Sequence, residues 1–193
     1  MKNQLYHYES GDKLWFTSDT HFNHAGILRF CHRPFKDIAE MNTVLIRRWN
    51  ECVGSDDIIF HLGDFGFGHS GELMKILKGL NGRKIWILGN HDIRLKEQLE
   101  SGFDFVSNQM NIRVGRRHII LNHFPFLCYS GSWRESNPSL QFFGHVHSGP
   151  LAADSGLDYP RLQHLFPTQY DVGVDNNDFR PISFNQIIGK MGV

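Results

Sequence analysis

The chain has 193 residues, 40% of them hydrophobic, with 20 Lys+Arg balanced by 20 Asp+Glu. Length and apolar share suit one domain with a sizeable core, read as residues 1–193. A formal net charge of zero argues against non-specific binding to nucleic acid or to an anionic membrane, which both draw on basic excess.

The opening stretch, M-K-N-Q-L-Y-H-Y-E-S-G-D, has no apolar h-region, and no apolar run approaches the ~18 residues of a membrane span. A cytoplasmic protein without a membrane partner is expected. Cys31, Cys52 and Cys128 are scattered and lack C-x-x-C spacing, which reads as reduced thiols. The compositional anomaly is the twelve histidines.

In chain order, K-L-W-F-T-S at 13–18 predicts a strand, and Asp37 with Glu40 resembles a capping box. The helix so opened would bury Ile38, Met41, Leu45, Trp49 and Cys52. A buried strand at 57–61 precedes L-G-D. Ser70 is expected to cap a helix over 71–79 with Leu73, Ile76, Leu77 and Leu80 inward. Further strands are predicted at 84–88, 103–107, 109–114, 117–122, 140–144 and 169–175. A helix falls near 93–100, a hairpin turn at Gly115-Arg116, and a last helix after Ser183. An α/β first half followed by a β-rich second half suggests two packed sheets with helices outside.

The unusual residues fall at strand ends. S-D-T-H brings Asp19 and His21, H-L-G-D brings His61 and Asp64, and G-N-H-D brings Asn90, His91 and Asp92. Later strands bring Asn122 and His123, then His145 and His147 in F-F-G-H-V-H. Sites in open α/β sheets collect at the carboxyl ends of strands, so five segments there describe one site. Pairs two apart point to one side of an extended backbone. Gly63, Gly89 and Gly144, just before them, would permit sharp turns. Carboxylates, an amide and imidazoles without thiolate suit manganese, iron, cobalt or zinc in five- or six-coordination. Taken singly, each motif has a bland explanation as a turn or a hydrogen-bonded core histidine; five in order do not.

These five blocks, D-x-H, G-D, G-N-H-D, H and G-H-x-H, resemble the signature of the calcineurin-like metallophosphoesterase superfamily. F-T-S-D-T-H-F-N-H, R-P-F and F-R-P-I-S resemble a compact bacterial and phage branch of it. The resemblance implies a four-layer α/β/β/α sandwich of two mixed sheets flanked by helices. It also implies two divalent ions ~3.5–4 Å apart, manganese first, with iron, zinc, cobalt or nickel as alternatives. Asp19, His21, Asp64 and His147 would hold one ion. Asp64, Asn90, His123 and His145 would hold the other, and a metal-bridging hydroxide would attack phosphorus. His91 would then serve as leaving-group acid or stabiliser of phosphoryl charge, with Asp92 orienting it from behind.

Asn23, His24 and Arg33 are candidates for the substrate phosphate. His61 reads as a core histidine, Asn122 as a turn residue, and Asp175 and Asp178 as turn chemistry. No role is assigned to His7, His32, His69, His118 or His164. The expected reaction is hydrolysis of a phosphodiester or phosphomonoester on a small or nucleotide-type substrate. A nuclease or nucleic-acid end-processing phosphatase is the nearest alternative, and a catalytically silent interaction scaffold the alternative of another class. The nuclease would need a basic track. Arg113, Arg116, Arg117 and His118 cluster, as do Arg29, His32, Arg33 and Lys36, though such patches read first as solvated surface. Selectivity should lie in segments 22–36 and 124–140. Their aromatics (Phe22, Phe30, Phe35, Phe126, Tyr129, Trp133) either stack a base or, the favoured reading, form local core.

Overall fold

The structure, a computed structural model, describes residues 5–151 and 159–193, so that residues 1–4 of the opening stretch fall outside it. Its elements in order are β1 (Leu5–Tyr8), β2 (Leu14–Thr17), α1 (Ala25–Phe30), α2 (Ile38–Cys52), β3 (Ile58–His61), α3 (Ser70–Gly79) and β4 (Arg83–Ile87). There follow α4 (Lys96–Leu99), β5 (Phe105–Ser107), β6 (Gln109–Val114), β7 (Arg117–Asn122), β8 (Leu140–Phe143), β9 (Gln169–Asp171), β10 (Ile182–Ser183) and α5 (Phe184–Met191).

Two mixed five-stranded sheets with flanking helices result, as the resemblance implies. One has the order β10-β2-β3-β4-β5 and the other β1-β6-β7-β8-β9. In the first, β2 through β5 are parallel and β10 is antiparallel. In the second, only β6 and β7 are antiparallel. The alternation in Q-M-N-I-R-V sends Met110, Ile112 and Val114 inward against Phe16, Phe60 and Ile87 of the facing sheet. Phe16 stacks on Phe60 at 5.1 Å and meets Phe142 edge-on at 4.9 Å, which ties the sheets together. Phe184 and Ile187 of α5 join this core.

A second core lies on the other face of the first sheet. Met41, Leu45 and Trp49 of α2 and Leu73 and Leu77 of α3 pack on Ile59 and Trp86. Burying each large side chain contributes roughly 1.5–3 kcal/mol. Ile38, Cys52 and Ile76 are only partly buried, at the margins of the predicted faces. The outer face of the second sheet carries the irregular 124–139 segment. Gln141 and Gln169 anchor it by donating from Nε2 to the carbonyls of Phe124 and Phe126, each bond near 3 Å.

Several local expectations are refined. Asp37 accepts from the Glu40 amide at 2.8 Å, but the Glu40 carboxylate reaches Lys36 rather than closing a strict box. His69, not Ser70, caps α3: its Nδ1 accepts from the Gly71 amide at 3.1 Å. Ser183 and Gln186 form the full capping box that opens α5. Strand β1 and helix α1 are absent from the sequence reading, both being too short to show a clear period.

Candidate metal centre

The first sheet sends the chain out of β2, β3 and β4, and the second out of β7, β8 and β9, toward one cleft. Backbone bonds stitch these exits together. Asp19 N–H donates to the Gly63 carbonyl (2.9 Å), His21 N–H to Asp64 (3.1 Å), Gly144 N–H to His123 (2.9 Å) and Val174 N–H to Ser18 (3.1 Å). The five motifs therefore converge on one site.

The pairs D-x-H and H-x-H do not lie on extended backbone. Asp19 (φ 56°), His21 (49°), Asp64 (58°), His145 (72°) and His147 (48°) all occupy the left-handed region. Five non-glycine residues there in one cleft are a concentration of strain that the surrounding bonds must hold. The glycines also have a sharper reason than turning. Only Gly63 has positive φ, at 95°. A Cβ on Gly89 would press on the Asp64 carboxylate, and one on Gly144 on Ser18 Oγ and Asp19 Oδ2. Close approach, not dihedral freedom, requires glycine at 89 and 144.

The motif donors fall into two groups, and a third set, Cys31, His147 and Asp175, shares His147 with the first. Asp19, His21 and His147 offer ligand atoms within 4.8 Å of one another, and so do Asp64, His123 and His145. Asp64 Oδ2 stands between them, 3.7 Å from His21 Nε2, 3.5 Å from His123 Nε2 and 3.9 Å from His91 Nε2. Asp19 Oδ1 is 3.7 Å from His147 Nε2. These gaps are long for hydrogen bonds, yet two metal–ligand bonds of ~2.1 Å would span them. The Asn90 amide oxygen is 3.1 Å from His123 Nε2. This arrangement could hold two cations that share Asp64.

Three imidazoles have their inner nitrogen engaged from behind. His123 Nδ1 donates to the Leu62 carbonyl at 2.7 Å, and His147 Nδ1 to Asp175 Oδ2 at 2.8 Å. His21 Nδ1 is 3.3 Å from His24 Nδ1. The carbonyl and the carboxylate accept only, so His123 and His147 keep Nε2 toward the carboxylates, the tautomer a ligand needs, whereas in the His21–His24 contact either ring can carry the proton. Asp19 Oδ2 accepts from Ser18 Oγ (2.5 Å) and the His145 amide (2.9 Å). Its Oδ1 and His21 Nε2 are buried without a hydrogen-bond partner among the described residues. Orphaned buried atoms are costly, and a cation between them removes the cost. The donor set fits divalent metal.

The electrostatics agree with the geometry. Burial alone pushes each imidazole down, and His21 stays well below its ordinary value, with His147 and Arg33 adding to the effect. For His123 the Asp64 carboxylate beside it, with the charge of Asp19 and the Leu62 carbonyl, overcomes burial and lifts it to about 9. Asp19 and Asp175 lift His147 well above its ordinary value in the same way. Burial would raise Asp64, but His123 and the His91 amide hold it down.

Two expected roles are corrected. Arg33 does not face substrate. It is buried, donating from Nε to Asp175 Oδ1 (2.9 Å) and from Nη2 to Asp175 Oδ2 (2.7 Å). Its Nη2 and Nη1 also donate to the Asp19 and Thr20 carbonyls at 2.6 and 3.0 Å. With its fifth N–H directed from Nη1 to Met41 Sδ at 3.6 Å, the guanidinium has no donors left for phosphate. Nor does Asp92 back His91. Its Oδ2 accepts from the amides of Asp64 (2.7 Å) and Gly89 (2.8 Å) and from Trp86 Nε1 (3.1 Å), while Oδ1 accepts from the Phe65 amide (2.9 Å). Asp92 is thus a knot that holds the G-D loop against the G-N-H-D loop. Burial pushes its carboxyl up to about 6 against those donors.

The remaining candidates are placed as follows. The His91 side chain is 44% exposed at the cleft mouth, its ring 4.8 Å from Phe67. His24 stacks on Phe67 at 3.9 Å. Asn23 Oδ1 accepts from Asn42 Nδ2 at 2.6 Å. His61 is a buried core residue: Thr20 Oγ1 donates to the Phe65 carbonyl (2.8 Å) and accepts from His61 Nε2 (2.9 Å). Asn122 Oδ1 accepts from the Phe124 amide at 2.9 Å, a turn role. Phe22 and Tyr129 are core, whereas Phe30 and Trp133 are 67% and 73% exposed.

Sequence reasoning missed Asp175, Asp171 and Phe67. Asp175 looked like turn chemistry, yet Arg33 and His147 make it a buried acceptor. Burial would raise it, and the Arg33 guanidinium first of all brings it down to about 2. Asp171 accepts from Ser148 Oγ (2.5 Å) and from the amides of Ser148 (3.1 Å) and Gly173 (2.7 Å), which fixes the loop carrying His145 and His147.

Residues 12–132 match the family model described as calcineurin-like phosphoesterase. The uncharacterized protein MJ1445 of Methanocaldococcus jannaschii is 31% identical over 178 residues, covering 91% of this chain and 89% of that protein. The gene 66 protein of Mycobacterium phage L5 is 28% identical over 187 residues, covering 83% and 86%. Among solved structures, AQ665 of Aquifex aeolicus, of unknown function, superposes with a TM-score of 0.69 at 28% identity, covering 92% of this chain and 98% of that one. Motif order, the two sheets and a match that runs through more than half of the sequence agree: the chain belongs to the calcineurin-like phosphoesterase family.

Proposed function

We propose that this chain is a metal-dependent phosphoesterase that hydrolyses phosphodiesters or phosphomonoesters of small, nucleotide-type substrates. The observation that carries the reading is Asp64 Oδ2 standing within 3.7 Å of both His21 Nε2 and His123 Nε2, one from each donor group. Asp19, His21, Asp64 and His147 would hold one divalent ion, and Asp64, Asn90, His123 and His145 the other. Manganese is the first candidate. Two such ions, when bound, supply Lewis-acid charge to phosphoryl oxygens and bring the pKa of a water toward neutrality.

The protein's own part is preorganisation. Asp175 and the Leu62 carbonyl fix the tautomers of His147 and His123, and Ser18 with the His145 amide fixes Asp19. His91, exposed beside Asp64 and free of a ligand's duty, would donate a proton to the departing alkoxide from Nε2. Asp92 positions His91 only through the loop, by tying Gly89 to Asp64.

The basic cluster Arg113, Arg116, Arg117 and His118 lies at the hairpin tip between β6 and β7, while His123 follows the opposite end of β7. Six strand residues separate them by roughly 20 Å. That cluster therefore gives a nuclease no track into the cleft, and a small substrate is favoured. The test is to load the chain with manganese and assay monoester and diester reporters, 2′,3′-cyclic nucleotides and short oligonucleotides. Two-metal dependence with turnover of the small esters is expected. A protein with two bound ions and no turnover across the panel would reject the proposal.

A further inference from the structure

Beside the metal centre lies a cavity of about 530 Å³ that the motifs do not account for. Phe124, Leu127, Val146, Leu162 and Leu165 line it, and His145 forms the wall toward the ions. The volume is within the roughly 300–1,000 Å³ of small-molecule sites. Among the described residues its lining includes one further imidazole, His164, and no carboxylate, ammonium or guanidinium, so it suits an uncharged group. Phe124 is 42% exposed and Leu127 81%, a large apolar surface left open to water.

The fold places this cavity by construction. Phe124 follows His123 directly, so the chain turn that presents a ligand also presents the ring. The Phe124 ring meets the His145 ring at 4.7 Å and 64°, and the His123 ring at 4.9 Å and 76°. Tilted rings of this kind form an aromatic corner that starts at the donor group. Because His145 belongs both to that donor group and to the cavity wall, a phosphate held there can carry a substituent directly into the cavity. A flat ring is the shape that stacks on such a corner with little demand for specific hydrogen bonds.

We propose that this cavity is the subsite for an uncharged aromatic ring carried by the group esterified to the phosphate, either the base of a nucleoside or an aryl ring. The proposal rests on the phosphoesterase reading and assigns that site its substrate class.

The test uses the manganese-loaded full chain and calorimetric titration with non-hydrolysable phosphonates: methylphosphonate, phenylphosphonate and an adenosine phosphonate. The aromatic ligands should bind at least about fivefold tighter than methylphosphonate, in line with the cost of removing one stacked ring. The stronger of the two aromatic arms identifies the source. In Phe124→Ala the preference ratio should fall toward one. Leu127→Ser, at a residue too exposed to matter for folding, should lower it in the same direction. Equal binding of all three ligands in the wild type would overturn the subsite while leaving the metal reading standing. So would a ratio unmoved by either variant. Failure to bind even methylphosphonate with two ions loaded would overturn both.

Discussion

Arg33 and Asp175, 142 positions apart in the chain, close a two-pronged ion pair of 2.9 and 2.7 Å beneath the cleft. The same guanidinium holds the Asp19 and Thr20 carbonyls, and the same carboxylate accepts from His147. One buried pair thus links the first motif to the last. Replacing Arg33 by Ala strands Asp175 as an uncompensated buried charge, and an unfolding free energy lower by about 3–5 kcal/mol is expected. Arg33→Lys should not restore it, because an ammonium cannot match the fork. Denaturant titration of the three proteins measures this, and full rescue by Lys would refute the fork argument.

Asp175→Ala should lose stability on the same scale, about 3–5 kcal/mol, because it strands the buried Arg33 guanidinium, and it should weaken metal binding as well. Without its acceptor, His147 loses its fixed tautomer, and metal affinity at the Asp19, His21 and His147 group should drop about 10–100-fold. Titration of the metal-free variant with manganese, followed by calorimetry, gives the number. Unchanged affinity would show that His147 needs no partner.

Asp92→Asn tests whether that carboxylate is a knot rather than a polariser of His91. An amide cannot accept at both of its ends, so one of the four donors must face an NH2 group. A loss of about 2–3 kcal/mol in stability is expected, with a shift in Trp86 fluorescence because its Nε1 is one of the donors. A variant with wild-type stability and only a changed pH profile of turnover would favour the role expected from the sequence.

How much of this was legible in the sequence follows from where the chemistry sits. Asp19, His21, Asp64, Asn90, His123, His145 and His147 stand at strand ends in short motifs, so periodicity located them and donor type suggested metal. Arg33 in R-P-F reads as a substrate contact and Asp175 in V-D-N-N-D as turn chemistry, because only the fold makes them neighbours. Asp92 was placed beside the right residues but against the wrong one: the amides it binds belong to another loop. The left-handed backbone of the ligand pairs was equally hidden, since a two-residue spacing looks the same in either conformation.

His61 supplies a pH prediction. Burial lowers it from 6.5 to about 3 in the folded protein, so the unfolded chain binds the proton more tightly. Its neutral form therefore contributes stability that is present above pH 6.5 and lost as pH falls from there toward 3, by up to about 1.4 kcal/mol per unit. Between pH 7 and pH 5 the metal-free wild type should lose about 2 kcal/mol more than metal-free His61→Gln. Parallel pH profiles of the two would remove His61 as the cause.

The most direct measurement is the number of ions per chain. After manganese loading and removal of excess metal, elemental analysis should find two ions in the wild type and one or none in Asp64→Ala, whose carboxylate lies between the donor groups. Fewer than two ions in the saturated wild type, or two retained without Asp64, would contradict the shared two-ion centre.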